Sequence, residues 1–106
     1  MKISKGDIVV AVMQNPREKV LGVLRKVSDS GIFLRGIDLN YFEEWTKAIK
    51  SGETYLPMQE MFLPMWRLER LSRDEGSADL PSMAEQFEQR TGVRFEEFES
   101  WDEAED

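Results

Sequence analysis

The side chains that most often carry chemistry are missing from this chain. Its 106 residues include neither histidine nor cysteine. Disulfides, thiolate metal sites and cysteine nucleophiles are therefore excluded, as is the side chain that titrates nearest neutral pH and serves most often as general base. A zinc site would have to be built from carboxylates alone, without the nitrogen and sulfur ligands zinc favours. The seven glycines are scattered, and none forms a phosphate-cradling loop ahead of a helical stretch. No Ser, Thr or Lys nucleophile has a base placed beside it. Glu43 and Glu44 are neighbours in sequence, which on a helix point in different directions. The acidic cluster of Glu96, Glu97, Glu99, Asp102 and Glu103 lacks the glycine and the alternating oxygen ligands of a calcium loop. The expectation is a chain that is not an enzyme, with no catalytic residue, no metal, no cofactor and no evident small-molecule substrate.

Binding residues are easier to find. Trp66 and Arg67 have the chemistry to stack on a base and hold a phosphate, although a buried tryptophan closing one end of a sheet is the simpler expectation for Trp66. Arg25, Lys26 and Arg35 form a basic group if the strands that carry them pair. They would then face phosphate or, more simply, form the solvent side of a hairpin. Met58, Met61, Phe62 and Leu63 make a stretch poor in charge, suited to pairing with another subunit.

The elements that must position these residues follow from periodicity. Ile8 to Met13 is a β-branched run too short for a good helix and reads as a strand with both faces at least partly covered. Gln14 to Glu18 is a turn. Lys19 to Val27 is a second strand, with Leu21, Val23 and Val27 on one face and Val20, Gly22 and Leu24 on the other. A glycine inside a strand signals a bend or a close backbone approach. Ser28 to Gly31 is a tight turn into a third strand, Ile32 to Ile37, so the two form a hairpin.

The period then becomes helical from Tyr41 to Lys50, with Phe42, Trp45 and Ile49 on one face. Asn40 is placed to cap, Glu43 lies three residues on, and Gly52 ends the helix. Pro57 and Pro64 mark the ends of a fourth strand. Pro64-Met65-Trp66 is a sharp turn, and Arg67 to Ser72 a fifth strand, with a short helix as the competing reading. Residues 73–79 form a polar linker. Ser82 to Glu85 is a capping box, Met83 and Phe87 share a helical face, and Gly92 stops that helix. Val93, Phe95, Phe98 and Trp101 continue the amphipathic pattern and are expected to dock on the sheet or on another subunit.

Charge divides the chain in the same place. Residues 1–73 carry 12 Lys/Arg and 9 Asp/Glu, whereas residues 74–106 carry 2 and 12, within an overall net charge of −7. The domain reading is a compact β unit over 1–73 and an acidic linker with a helical extension over 74–106. The apolar run after Met1 ends at Met13, too short for a signal core or a membrane span. Cytoplasmic residence with no membrane partner is expected.

Gly22-Val23-Leu24, the Asp29-Ser30-Gly31 turn into Ile32-Phe33-Leu34, and Phe62-Leu63-Pro64 running into Leu68-Glu69-Arg70-Leu71 resemble the Sm-like small β-barrel, and the stretch from Asn15-Pro16-Arg17-Glu18-Lys19 to Asp38-Leu39 looks like uncharacterised bacterial proteins of that type. The likeness covers residues 7–72. It implies a five-stranded barrel, rings in which one subunit's fourth strand pairs with the next subunit's fifth, and RNA held by two loops. Family members place an Asp and then an Asn around the turn between strands two and three. Asp29 stands for the first, and Ile32 and Phe33 occupy the region of the second. The family's Arg-Gly pair before the last strand is replaced by Pro64-Met65-Trp66-Arg67, while Arg35-Gly36 lies in strand three.

The fold class expected is thus mainly β: a five-stranded Sm-like or SH3-like small barrel, a short helix inserted after strand three and a helical C-terminal segment. An open barrel leaves two strand edges with unpaired amides and carbonyls. A symmetric homo-oligomer, the ring included, follows as the expected assembly. The expected role is a non-catalytic interaction or assembly module. An RNA-binding ring is the alternative, and the acidic balance favours the former.

Overall fold

The computed structural model describes residues 2–98. Five strands are formed, β1 (Ile8–Met13), β2 (Glu18–Ser28), β3 (Gly31–Asp38), β4 (Gln59–Pro64) and β5 (Leu68–Arg73). Two helices accompany them, α1 (Phe42–Ser51) between β3 and β4, and α2 (Met83–Thr91) after β5. The chain is helical again at residues 95–98. The strands form one antiparallel sheet in the order β4-β3-β2-β1-β5. The competing helix over the fifth strand does not form, because Leu68 to Arg73 pairs with β1.

Two apolar layers lie on opposite faces of this sheet, and strand alternation sorts the residues between them. Val20 and Leu24 of β2 join Val9, Ala11, Met13, Ile32, Leu34 and Leu63 on the inner face. Leu21 and Val23 of the same strand join Ile37, Phe42, Trp45, Met58, Phe87, Phe95 and Phe98 on the outer face. The inner layer also takes Met61 of β4 and Leu68 and Leu71 of β5, the two edge strands. Among the described residues neither helix contributes to this layer, yet Val9, Ala11, Leu24 and Leu34 are fully buried, so the sheet is curled about it.

Gly22 and Gly36 make the curl possible. They pair across β2 and β3 on the inner face. A Cβ on Gly22 would lie 2.9 Å from the Gly36 Cα and 2.5 Å from the Arg35 carbonyl oxygen. The close backbone approach expected of Gly22 is therefore present, and Gly36 is its counterpart.

Further along, Arg25 is an extra residue: Leu24 pairs with Leu34 but Lys26 with Phe33. The bulge reverses the alternation, so Val27 does not share the face of Leu21 and Val23. It pairs with Ile32 and is exposed at the rim.

α1 presents Phe42, Trp45 and Ala48 to the outer face, and Gly52 ends it in the left-handed conformation at φ 71°. Its start corrects the expected cap. Asp38, not Asn40, accepts the capping hydrogen bond, from the Asn40 N–H at 2.8 Å, and a single 3-10 turn (Leu39–Tyr41) leads into the helix. The capping box of α2 forms as expected. Ser82 Oγ accepts from the Glu85 N–H at 3.1 Å, and Glu85 Oε1 accepts from the Ser82 N–H at 2.8 Å. The Ser82 backbone and side chain hold the Glu85 carboxyl below its ordinary range, because both hydrogen bonds favour the charged form.

A contact from the end of β5 fixes where α2 lies. The Asp74 carboxylate accepts from the Met83 N–H at 2.8 Å and from the Ala84 N–H at 2.9 Å. With Ser82 on Glu85, the first three amides of the helix all have acceptors, and a negative charge sits at the helix start where the dipole favours it. α2 then packs Phe87 against Trp45, ring centroids 5.1 Å apart. Phe95 and Phe98 close the aromatic cluster at 6.4 and 5.7 Å from the same indole. Arg90 ties α2 to α1, reaching Glu43 Oε1 at 2.7 Å above the Phe42 ring. The segment from Met83 to Phe98 thus docks on the sheet through α1. Trp101, Glu99, Asp102 and Glu103 lie outside the described residues.

Candidate interaction surface

The helices cover only part of the outer face. On its β4 side Phe33 and Phe62 pair across β3 and β4. Their ring centroids are 4.8 Å apart, yet they remain 38% and 45% exposed. Lys26 Nζ lies 5.8 Å from the centre of the Phe33 ring. In the next row Arg35 pairs with Glu60 in register, and Glu60 Oε1 stands 3.8 Å from Arg35 and 3.7 Å from Arg25. An aromatic pair flanked by a cluster of two arginines around one glutamate therefore lines an open sheet edge.

The phase of the β4 ladder decides what that edge offers. Met65 N–H donates to the Ser30 carbonyl at 2.8 Å. In an antiparallel ladder hydrogen-bonded pairs alternate, so Leu63, Met61 and Gln59 direct their backbone groups to β3. Glu60 and Phe62 direct theirs away from the sheet. Pro64 is in the outward phase, so its missing N–H costs no ladder bond, the edge position where proline is tolerated.

The other edge is different. Asp74 N–H donates to the Ile8 carbonyl and Gln14 N–H to the Arg67 carbonyl. Between these points the β1–β5 register slips, Val12 pairing with Arg70 and Met13 with Leu68. Glu69 is left as a bulge, a feature that discourages further pairing.

The structure redistributes the residues singled out from sequence. Phe62 is on the open surface and Met61 half-buried at the edge, but Met58 and Leu63 belong to the outer and inner core layers and are not available to a partner. Arg35 is not on a solvent face. It is 4% exposed, enclosed by β2 and β4 with Glu60 beside it. Arg25, Lys26 and Arg35 are therefore not one basic patch, since two of them share a carboxylate and the third lies over a ring.

Trp66 does not close an end of the sheet. It stands 70% exposed on the 3-10 turn Met65–Arg67. Arg67 points the other way and clamps the β1–β2 turn, donating to the carbonyls of Gln14 (3.1 Å) and Pro16 (3.0 Å) and to Glu18 Oε1 (2.7 Å). The Trp66 indole is thus in solvent while the Arg67 guanidinium is engaged by the β1–β2 turn. Asp29 is exposed on the β2–β3 turn, whose Ser30 receives the Met65 hydrogen bond.

Phe33, which from its sequence reads only as a strand residue, is a further member of the surface. Its signal was present: it alternates with Ile32 and Leu34, which face the inner core. Among the described residues no helix is long and apolar enough to cross a membrane. Comparison of the chain with known protein families, with curated proteins and with solved structures finds no match.

Proposed function

We propose that this chain is a non-catalytic interaction module of Sm-like type that works as a homo-oligomer. The observation that carries this reading is the open β4 edge beside the exposed Phe33–Phe62 pair. A row of unpaired amides and carbonyls is a template for another strand, and aromatic side chains are enriched where proteins meet. The strand order, with β2 central between β3 and β1 and a 3-10 turn between the edge strands β4 and β5, supports the Sm-like barrel and its use of strand edges for assembly. Light scattering after gel filtration at micromolar concentration tests the reading. A mass of two or more protomers is expected, and a monomer mass across the accessible concentration range removes it.

Trp66 favours a second reading, RNA binding. An indole held in solvent next to the β2–β3 turn suits stacking on an unpaired base. Binding to single-stranded RNA should then weaken with added salt as phosphate contacts release counterions, and Trp66→Ala should abolish it. Removing residues 99–106, which leaves Phe87, Phe95 and Phe98 in the core, would raise that affinity if the acidic segment competes with RNA. No binding at low salt, with or without that segment, discards this second reading.

A further inference from the structure

We propose that two copies pair through β4 as antiparallel neighbours about a two-fold axis passing beside Met61, and not head to tail through β4 and β5. This inference rests on the homo-oligomeric reading and specifies its contact. The outward-facing backbone groups of β4 belong to Glu60 and Phe62, one residue on either side of Met61, as the Met65–Ser30 hydrogen bond and the β3–β4 register require. That set is self-complementary. With Met61 opposite the partner's Met61, each Glu60 faces the partner's Phe62, and the two free amides and two free carbonyls of each copy form four hydrogen bonds. A two-fold contact uses the same patch on both copies.

The side chains fit the same register. Glu60 and Phe62 both lie on the outer face, as their pairing with Arg35 and Phe33 shows. The exposed Phe33–Phe62 row would run on into the partner's Glu60–Arg35 row. Each Glu60 already stands within 4 Å of Arg25 and Arg35, so no uncompensated carboxylates are brought together. The β5 edge is the poorer acceptor for β4. Its ladder phase is broken by the Glu69 bulge, and Glu69 is engaged by Arg17 at 3.1 Å. Pro64 removes the next outward amide beyond Phe62 and limits pairing to this short central stretch.

The absence of cysteine makes the test direct. Residues directly opposite on antiparallel strands have Cα atoms about 4.5–5.5 Å apart, within reach of a disulfide. Met61→Cys is expected to form a reducible covalent dimer under mild oxidation, and Glu69→Cys is not. Met61 is half-buried, so a second pair guards against a folding defect. Glu60→Cys and Phe62→Cys proteins, each with exposed side chains at the substituted position, should cross-link when mixed and not when oxidised alone. Assembly by light scattering without these cross-links overturns the two-fold pairing and leaves the homo-oligomeric reading standing. A monomer by light scattering removes both.

Discussion

Gly22 and Gly36 meet across β2 and β3 with no room for a methyl group on either. Both lie on the inner face, where the sheet curls, and the Gly22 contact is with main-chain atoms that cannot rotate aside. Gly22→Ala and Gly36→Ala should each cost about 1–3 kcal/mol, the range of overpacking a tight site. Urea unfolding monitored by far-ultraviolet circular dichroism would measure it. A loss under half a kilocalorie would mean that the strands separate without cost, contrary to the geometry.

The two described tryptophans should behave oppositely. Trp45 is wholly buried among Phe42, Phe87, Phe95 and Phe98, so Trp45→Ala should destabilise by about 3–5 kcal/mol. Trp66→Ala should change stability by no more than about 0.5 kcal/mol, as for an exposed residue without partners in the core. Iodide should quench the fluorescence that Trp66→Phe removes and spare the emission of Trp45.

Arg67 acts as a structural clamp. Its guanidinium joins the β1–β2 turn to the start of β5 through two carbonyls and the Glu18 carboxylate. Arg67→Ala should cost about 2 kcal/mol, the order of a charged hydrogen-bond set lost from a partly buried site. Arg67→Lys should recover only part, because an ammonium cannot span acceptors as a planar fork does. Thermal denaturation of the two variants at one pH would rank them.

The start of α2 should be acid-sensitive. The hydrogen bonds from Ser82 to Glu85 lower its folded pKa, so the associated stability is present above the ordinary value of 4.5 and is lost as pH falls through the lowered folded value. Glu85→Gln keeps an acceptor for the Ser82 N–H but removes the proton. Melting temperature plotted against pH should therefore fall less steeply below about 4.5 in Glu85→Gln than in the parent. Parallel curves would show that this carboxylate is not linked to unfolding. Asp74→Ala should lower stability by about 1–2 kcal/mol at neutral pH, the cost of losing a helix cap.

The elements were legible where local signals agree. Alternation, the Ser28–Gly31 turn, the prolines at 57 and 64 and the Ser82 capping box each predict what the chain does nearby, and these strands and helices form. What escaped depends on residues distant in sequence. Arg35 reads as a solvent-side cation until β4 brings Glu60 beside it. Val27 reads as sharing the face of Leu21 and Val23 until pairing with β3 leaves Arg25 as an extra residue and turns the strand over. Trp66 reads as an end cap, but its 3-10 turn is oriented by Arg67, which is drawn inward by acceptors some fifty positions earlier. Met58 and Leu63 read as an open edge because a strand's two faces look alike until a layer covers each. Asp74 reads as linker because nothing local shows that the amides it satisfies begin nine residues later.

That same carboxylate has a consequence for how the chain tolerates cutting. Residues 75–80 are exposed throughout, while the groups that hold α2 in place lie on either side of them: Asp74 before, and Met83, Ala84 and Phe87 after. A protease that severs this stretch would break the covalent link without touching the grip. The two fragments should stay together as a nicked particle and, once separated in denaturant, find each other again when it is diluted.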